Sequence, residues 1–157
     1  MVFDRDAEVS SLFVVKSGLV HLVRFREDGG MVVLQRASAD GILAEASVLS
    51  EYYHCAAIAM QASVLKVYPR KSVQKMLVTS PEAALEYARF LAGEMRIARK
   101  RAEILALKTV AERLTAWLTW NHGLLPERGA WHHVADEIGI SKEALYRELS
   151  KRRKQKD

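Results

Sequence analysis

From Ala84 to Leu105 the apolar residues Ala84, Ala88, Leu91, Met95, Ala98, Ala102 and Leu105 recur at alternating intervals of four and three. That stepping is an a/d heptad seam held for three heptads, and only a helix keeps such residues on one stripe. At 1.5 Å per residue the stripe runs about 32 Å. Its start is marked by Ser80-Pro81-Glu82: a serine that can cap, a proline suited to the first helical position, and a glutamate that complements the positive end of the helix dipole. Arg89, Glu94, Arg96, Arg99, Lys100, Arg101 and Glu103 fall off the seam. A stripe with period 3.5 and small alanines lets two backbones approach closely, so the reading is a dimerisation helix over residues 81–108. Packing of the helix on its own domain is the competing one.

The chain before this helix has another rhythm. Leu12-Phe13-Val14-Val15, Leu19-Val20-His21-Leu22-Val23, Met31-Val32-Val33-Leu34 and Val64-Leu65-Lys66-Val67-Tyr68 are β-branched or aromatic runs. Ser17-Gly18, Asp28-Gly29-Gly30 and Asp40-Gly41 punctuate them. Arg26 to Gly30 is a hairpin turn by composition. Residues 1–80 therefore read as an antiparallel β-barrel domain. Beyond the long helix the helical pattern resumes at Thr109 with Val110, Leu114, Trp117 and Leu118, ends near Asn121-His122-Gly123, and gives way to a loop around Pro126.

Charge is concentrated at one end. Residues 1–80 carry nine Lys/Arg against eight Asp/Glu, whereas residues 141–157 carry seven against three. A local basic cluster is the electrostatic footprint of a protein that meets an anionic polymer. No stretch approaches the ~20 apolar residues of a membrane span, and the N-terminus has no apolar leader core, so the chain reads as cytoplasmic. A single cysteine, Cys55, excludes an internal disulfide and a multi-cysteine metal site built from this chain alone.

The motif that carries function lies within residues 131–150. A helix-turn-helix needs a small residue where the helices cross, a glycine at the turn and apolar residues at the contact. Ala135, Gly139, Val134, Ile138, Ile140 and Leu145 supply them. Ser141 caps the second helix, and the exposed Lys142, Glu143 and Arg147 are candidate readers of base edges in the major groove. Ser141, Lys151, Arg152, Arg153 and Lys154 are candidate phosphate contacts, which fix position without reading sequence. Glu148 stands where the motif wants an apolar residue, with Leu149 beside it able to fill that place.

The order of β-barrel, long helix and helix-turn-helix resembles the Crp/Fnr superfamily of transcription regulators, over nearly the whole chain. Leu12-Phe13-Val14-Val15-x-Ser17-Gly18 resembles the family's early barrel strand and turn. Gly41-Ile42-Leu43-Ala44-Glu45-Ala46 resembles the start of its effector cassette, and Ser141-Lys142-Glu143-x-x-x-Arg147 its recognition helix. The resemblance implies an α+β chain: a cyclic-nucleotide-binding-like jelly roll over 1–80, a dimerisation helix over 81–108, and a DNA-binding domain over 109–157. It implies a homodimer on double-stranded DNA, RNA polymerase as a further candidate partner, and no catalytic activity. Against the family pattern the barrel reads as shortened at its N-terminal side, and the β-hairpin wing that follows the recognition helix is missing.

Members that bind cyclic nucleotides hold the cyclic phosphate with an arginine followed by serine or threonine at the far end of the cassette. Here that stretch is Glu51-Tyr52-Tyr53-His54-Cys55-Ala56, with no arginine between Arg36 and Arg70. Burying a phosphate without a cation is costly, so cyclic AMP is not expected as the effector. Gly41, Ala44, Glu45, His54 and Cys55 are the cassette residues to examine. His54-Cys55, with His21 nearby in sequence, could ligate a haem, but packing is the preferred reading and no cofactor or metal is predicted. His132-His133 reads as surface or phosphate contact. The competing functions are a sensory and dimerisation module without DNA binding, and a cupin-type enzyme, for which residues 1–80 hold too few histidines.

Overall fold

The computed structural model describes residues 1–154; Lys156, the last lysine of the basic run, lies outside the described residues. The chain divides into two compact units, Met1–Leu91 and Ala92–Asp157.

The first unit holds six strands: β1 (Ser11–Ser17), β2 (Val20–Phe25), β3 (Met31–Ala37), β4 (Ile42–Leu43), β5 (Ala56–Ala59) and β6 (Val64–Pro69). They form two antiparallel three-stranded sheets, ordered β4-β1-β6 and β3-β2-β5. The expected antiparallel β region is present. The β2–β3 hairpin closes at Phe25 opposite Met31, where the Asp28 carboxylate accepts from the Gly30 amide at 2.9 Å. Alternation along β1 sends its side chains two ways. Phe13 and Val15 join a core with Phe3, Val20, Leu22, Leu43, Tyr53 and Cys55. Leu12 and Val14 instead meet Val48, Val73 and Tyr87. Phe3 stacks on Tyr53 at 4.0 Å, and the Tyr53 hydroxyl donates to the Ser11 carbonyl at 2.8 Å.

Among the strands and α-helices, three have no counterpart in the sequence reading: the short β4, β5 and a helix after β6. β5 is Ala-Ala-Ile-Ala, and alanine carries little strand preference; burial between β2 and the core forms it, not propensity. Residues 70–79 form helix α1 (Arg70–Thr79), which buries Val73 against the second core.

Helix α2 (Pro81–Ala106) begins where expected, with the Ala83 amide donating to the Ser80 hydroxyl. It ends at Ala106, within two residues of the bound expected for the dimerisation helix. Thr109 starts α3 (Val110–Trp120) with a full capping box, its hydroxyl accepting from the Glu112 amide and the Glu112 carboxylate accepting from the Thr109 amide. These bonds hold the Glu112 carboxyl below its ordinary range. A 3₁₀ turn (Arg128–Ala130), α4 (Trp131–Glu137) and α5 (Lys142–Lys154) complete the second unit. Its core gathers Ile104, Leu114, Trp117, Val134, Ala135, Ile138, Leu145 and Leu149. Among the described residues no helix is long and apolar enough to cross a membrane.

Candidate nucleic-acid interface

Four residues, 138–141, separate α4 from α5, and local chemistry fixes their path. The Ile140 amide donates to the Ala135 carbonyl at 3.0 Å and the Gly139 amide to the Asp136 carbonyl, which together make a Schellman end to α4. That end requires a left-handed residue, and Gly139 takes φ +65°. A side chain there would also press on Leu105, whose Cδ2 would stand 2.7 Å from an added Cβ. Ser141 then starts α5, its hydroxyl accepting from the Ala144 amide at 3.2 Å. Val134, Ala135, Ile138 and Leu145 are buried where the two helices meet.

Lys142, Glu143 and Arg147 all lie exposed on the first two turns of α5. The Glu143 carboxyl is held below its ordinary range by its own backbone amide, by the Ser141 hydroxyl and by neighbouring Lys142, so it is an anion at neutral pH. Lys151, Arg153 and Lys154 are exposed on the last turn.

Arg152 behaves differently. Its guanidinium turns inward, donating to Glu148 at 2.8 Å, to the Ala111 carbonyl at 2.7 Å and to the Thr115 hydroxyl at 2.8 Å. The Ala111 and Thr115 acceptors commit it to α3. The ion pair with Arg152 explains Glu148 at an otherwise apolar position: its carboxylate, 14% exposed, is neutralised one turn along the helix, while Leu149 packs in the core.

Arg113 is a residue the sequence reading missed. Its Nε donates to the Leu107 carbonyl at 2.8 Å and its Nη2 to Leu105 at 3.0 Å. Its Nη1 reaches the Ile138 and Gly139 carbonyls at 3.2 Å. One side chain thus satisfies the open carbonyls at the ends of α2 and α4. Trp117 adds a second tie, its indole donating to Glu137 at 2.7 Å.

The seam residues lie along α2, with Ala84 and Leu91 half-buried and Ala88, Met95, Ala98, Ala102 and Leu105 exposed. Met95 is 53% and Leu105 47% exposed. An apolar stripe of this kind is left open on the single chain.

In the cassette, Gly41 folds so tightly that a Cβ would stand 2.9 Å from the Ala37 side chain and the Ser38 carbonyl. Ala44 is buried with φ +66°. The Tyr87 hydroxyl donates to the Glu45 carbonyl oxygen at 2.7 Å, and burial together with the Glu45 charge pushes it up to about 12. His54 and Cys55 face apart. The imidazole is exposed with Nδ1 3.0 Å from the Ser47 hydroxyl, and the thiol is 3% exposed within the core. Burial, then Glu45, pushes the Cys55 thiol up, partly offset by Arg24, whose guanidinium donates to the His54 carbonyl. His21 is buried in β2, at a ladder position opposite Arg36 on β3 and Ile58 on β5. Among the described residues no three of His, Cys, Asp or Glu come together as a metal ion would need.

Residues 1–80 match the cyclic nucleotide-binding domain. The chain belongs to that domain family. Its fold is shared with Crp/Fnr-type transcription regulators. FixK2 from Bradyrhizobium japonicum is 21% identical, with 98% of this chain and 80% of that one aligned at a TM-score of 0.75. A transcriptional regulator of the CRP family from Thermus thermophilus is 20% identical, at the same coverages and a TM-score of 0.66. The c-di-GMP-responsive global regulator CLP from Xanthomonas campestris is 20% identical, covering 98% and 82%, with a TM-score of 0.68. At these identities the likeness is one of fold. No curated protein matches the chain.

Proposed function

We propose that the chain is a homodimeric, DNA-binding transcription regulator of Crp/Fnr type, with no catalytic activity, working in the cytoplasm. In this reading residues 1–80 are the effector domain, 81–108 the dimerisation helix and 109–157 a helix-turn-helix domain. The observation that carries it is the α4–α5 pair. A Schellman turn at Gly139 and a cap at Ser141 present Lys142, Glu143 and Arg147 to solvent on a helix that ends in exposed cations. A helix so presented fits the major groove, where lysine and arginine donate to guanine and glutamate accepts from cytosine. Lys151, Arg153 and Lys154 take the phosphates. Arg152 serves by holding α5 on α3. Ser141, with its hydroxyl engaged in the cap, offers its backbone at the helix start. The open stripe on α2 supports a second copy as partner, and RNA polymerase is the further partner that this class of regulator implies.

The cassette supports regulation by something other than cyclic AMP. Where the family's arginine would stand, the chain has an outward imidazole and a buried thiol, and the Arg24 guanidinium beside them is engaged by the His54 carbonyl. The test of DNA binding is titration of the full chain with random duplex. About six phosphate contacts per dimer give a slope of log affinity against log salt near −5. No binding at ~50 mM salt would leave the dimeric sensory module in place of the regulator.

A further inference from the structure

Beside the reading face of α5 sits a cluster that the proposed function leaves unused. Trp131, at the start of α4, and Tyr146, on α5, stand 5.1 Å apart between ring centroids at 52°. The Arg128 guanidinium lies over both, 5.9 Å from the Trp131 ring and 5.8 Å from the Tyr146 ring. The Trp131 indole donates to the Pro126 carbonyl at 3.0 Å, which fixes the platform to the loop before α4. Arg128 is exposed, and among the described residues its side chain makes no hydrogen bond or ion pair.

Attraction between a guanidinium and aromatic faces uses the planar face of the cation and leaves its N–H edge free. An exposed arginine ordinarily gives up much of its rotamer freedom when it is immobilised. Here two rings limit that freedom beforehand, so less is lost when an anion arrives. A guanidinium edge with five donors matches a phosphate bidentately.

The position of the cluster says which phosphate. Successive residues of α5 are about 100° apart around its axis. Glu143, Arg147, Ser150 and Lys154 line the middle of its exposed face. Tyr146 lies on one border and Lys151 on the other, about 140° away. A helix lying in a groove about 12 Å wide has a phosphate strand on each flank. Lys151 addresses one flank; Arg153, about 20° beyond Tyr146, and the Arg128 platform address the opposite one.

We infer that Arg128, held over Trp131 and Tyr146, is a preorganised contact to the nucleic-acid phosphate on the α4 side of the recognition helix. This inference rests on the DNA-binding reading. It assigns Trp131 and Tyr146 to positioning the arginine and not to reading bases.

The test uses the full-length chain and four variants: Arg128→Gln, Arg128→Lys, Tyr146→Ala and Lys142→Ala. Each is titrated with random duplex and with the duplex that the wild type prefers, from ~50 to ~200 mM salt. Loss of one phosphate contact per protomer lowers the slope by about 0.9 for each, or about 1.8 for a dimer. Arg128→Gln is expected to show that drop and to weaken both duplexes equally, because phosphates carry no sequence. Arg128→Lys should retain the slope, while Tyr146→Ala should weaken binding with the slope kept and the preference between duplexes unchanged. Lys142→Ala should instead narrow that preference. An unchanged slope in Arg128→Gln, with wild-type binding intact, overturns the inference and leaves the DNA-binding reading standing. A changed base preference in Arg128→Gln overturns it as well. A wild-type chain that does not bind duplex removes both readings together.

Discussion

Replacing Arg152 by methionine is expected to destabilise the second unit by about 2–3 kcal/mol. Glu148 and Arg152 are 14% and 28% exposed, so the pair is mostly removed from water. Breaking a fully buried pair from one side costs about 3–5 kcal/mol, chiefly because the remaining charge is stranded. Partial exposure lets water reach part of Glu148, which brings the figure down. Glu148→Leu alone should cost less, about 1–2 kcal/mol, because Arg152 keeps the Ala111 carbonyl and the Thr115 hydroxyl. The double variant Glu148→Leu/Arg152→Leu should lie within about 1 kcal/mol of wild type, since a well-packed apolar pair often replaces a buried ion pair without loss. Urea unfolding followed by tryptophan fluorescence measures this directly. The three tryptophans, Trp117, Trp120 and Trp131, all belong to the second unit, so the signal reports that unit alone. A double variant as unstable as Arg152→Met, or an Arg152→Met cost below about 0.5 kcal/mol, would refute the argument that the network holds α5 on α3.

Other outcomes follow from the same structure. Leu91→Glu with Met95→Glu puts charges into the exposed stripe and should give monomers in sedimentation; a persistent dimer would place the contact elsewhere. Calorimetric titration with cyclic AMP should show no micromolar binding, and a micromolar affinity would contradict the cassette argument. Cys55, buried and with its thiol pushed up, should react with iodoacetamide at pH 7 much more slowly in the folded chain than in urea. Equal rates would mean that the core around it opens freely.

The parts of this molecule that were legible in the sequence are those set by local chemistry. Ser80-Pro81 starts α2 because a cap and a fixed φ act within one turn. Gly139 and Ser141 mark the α4–α5 turn for the same reason. Features hidden in the sequence depend on partners far along the chain. β5 is alanine-rich and becomes a strand because β2 accepts it as a neighbour. Arg113 bonds carbonyls 25 and 26 residues away, and nothing near it announces that. Arg152 sits between these cases. Its direction follows from Glu148 four residues earlier, a spacing that pairs side chains on any helix. That one signal separates it from Lys151, Arg153 and Lys154.

On the proposed function, two copies of α5, held by α2, read DNA together. Selection of bound sequences from a random duplex pool tests it most directly. A pseudo-palindrome is expected, with half-sites centred one helical turn apart, about 10–10.5 base pairs, and guanines opposite Lys142 and Arg147. Recovery of an asymmetric single site, or no enrichment over the starting pool, would contradict it.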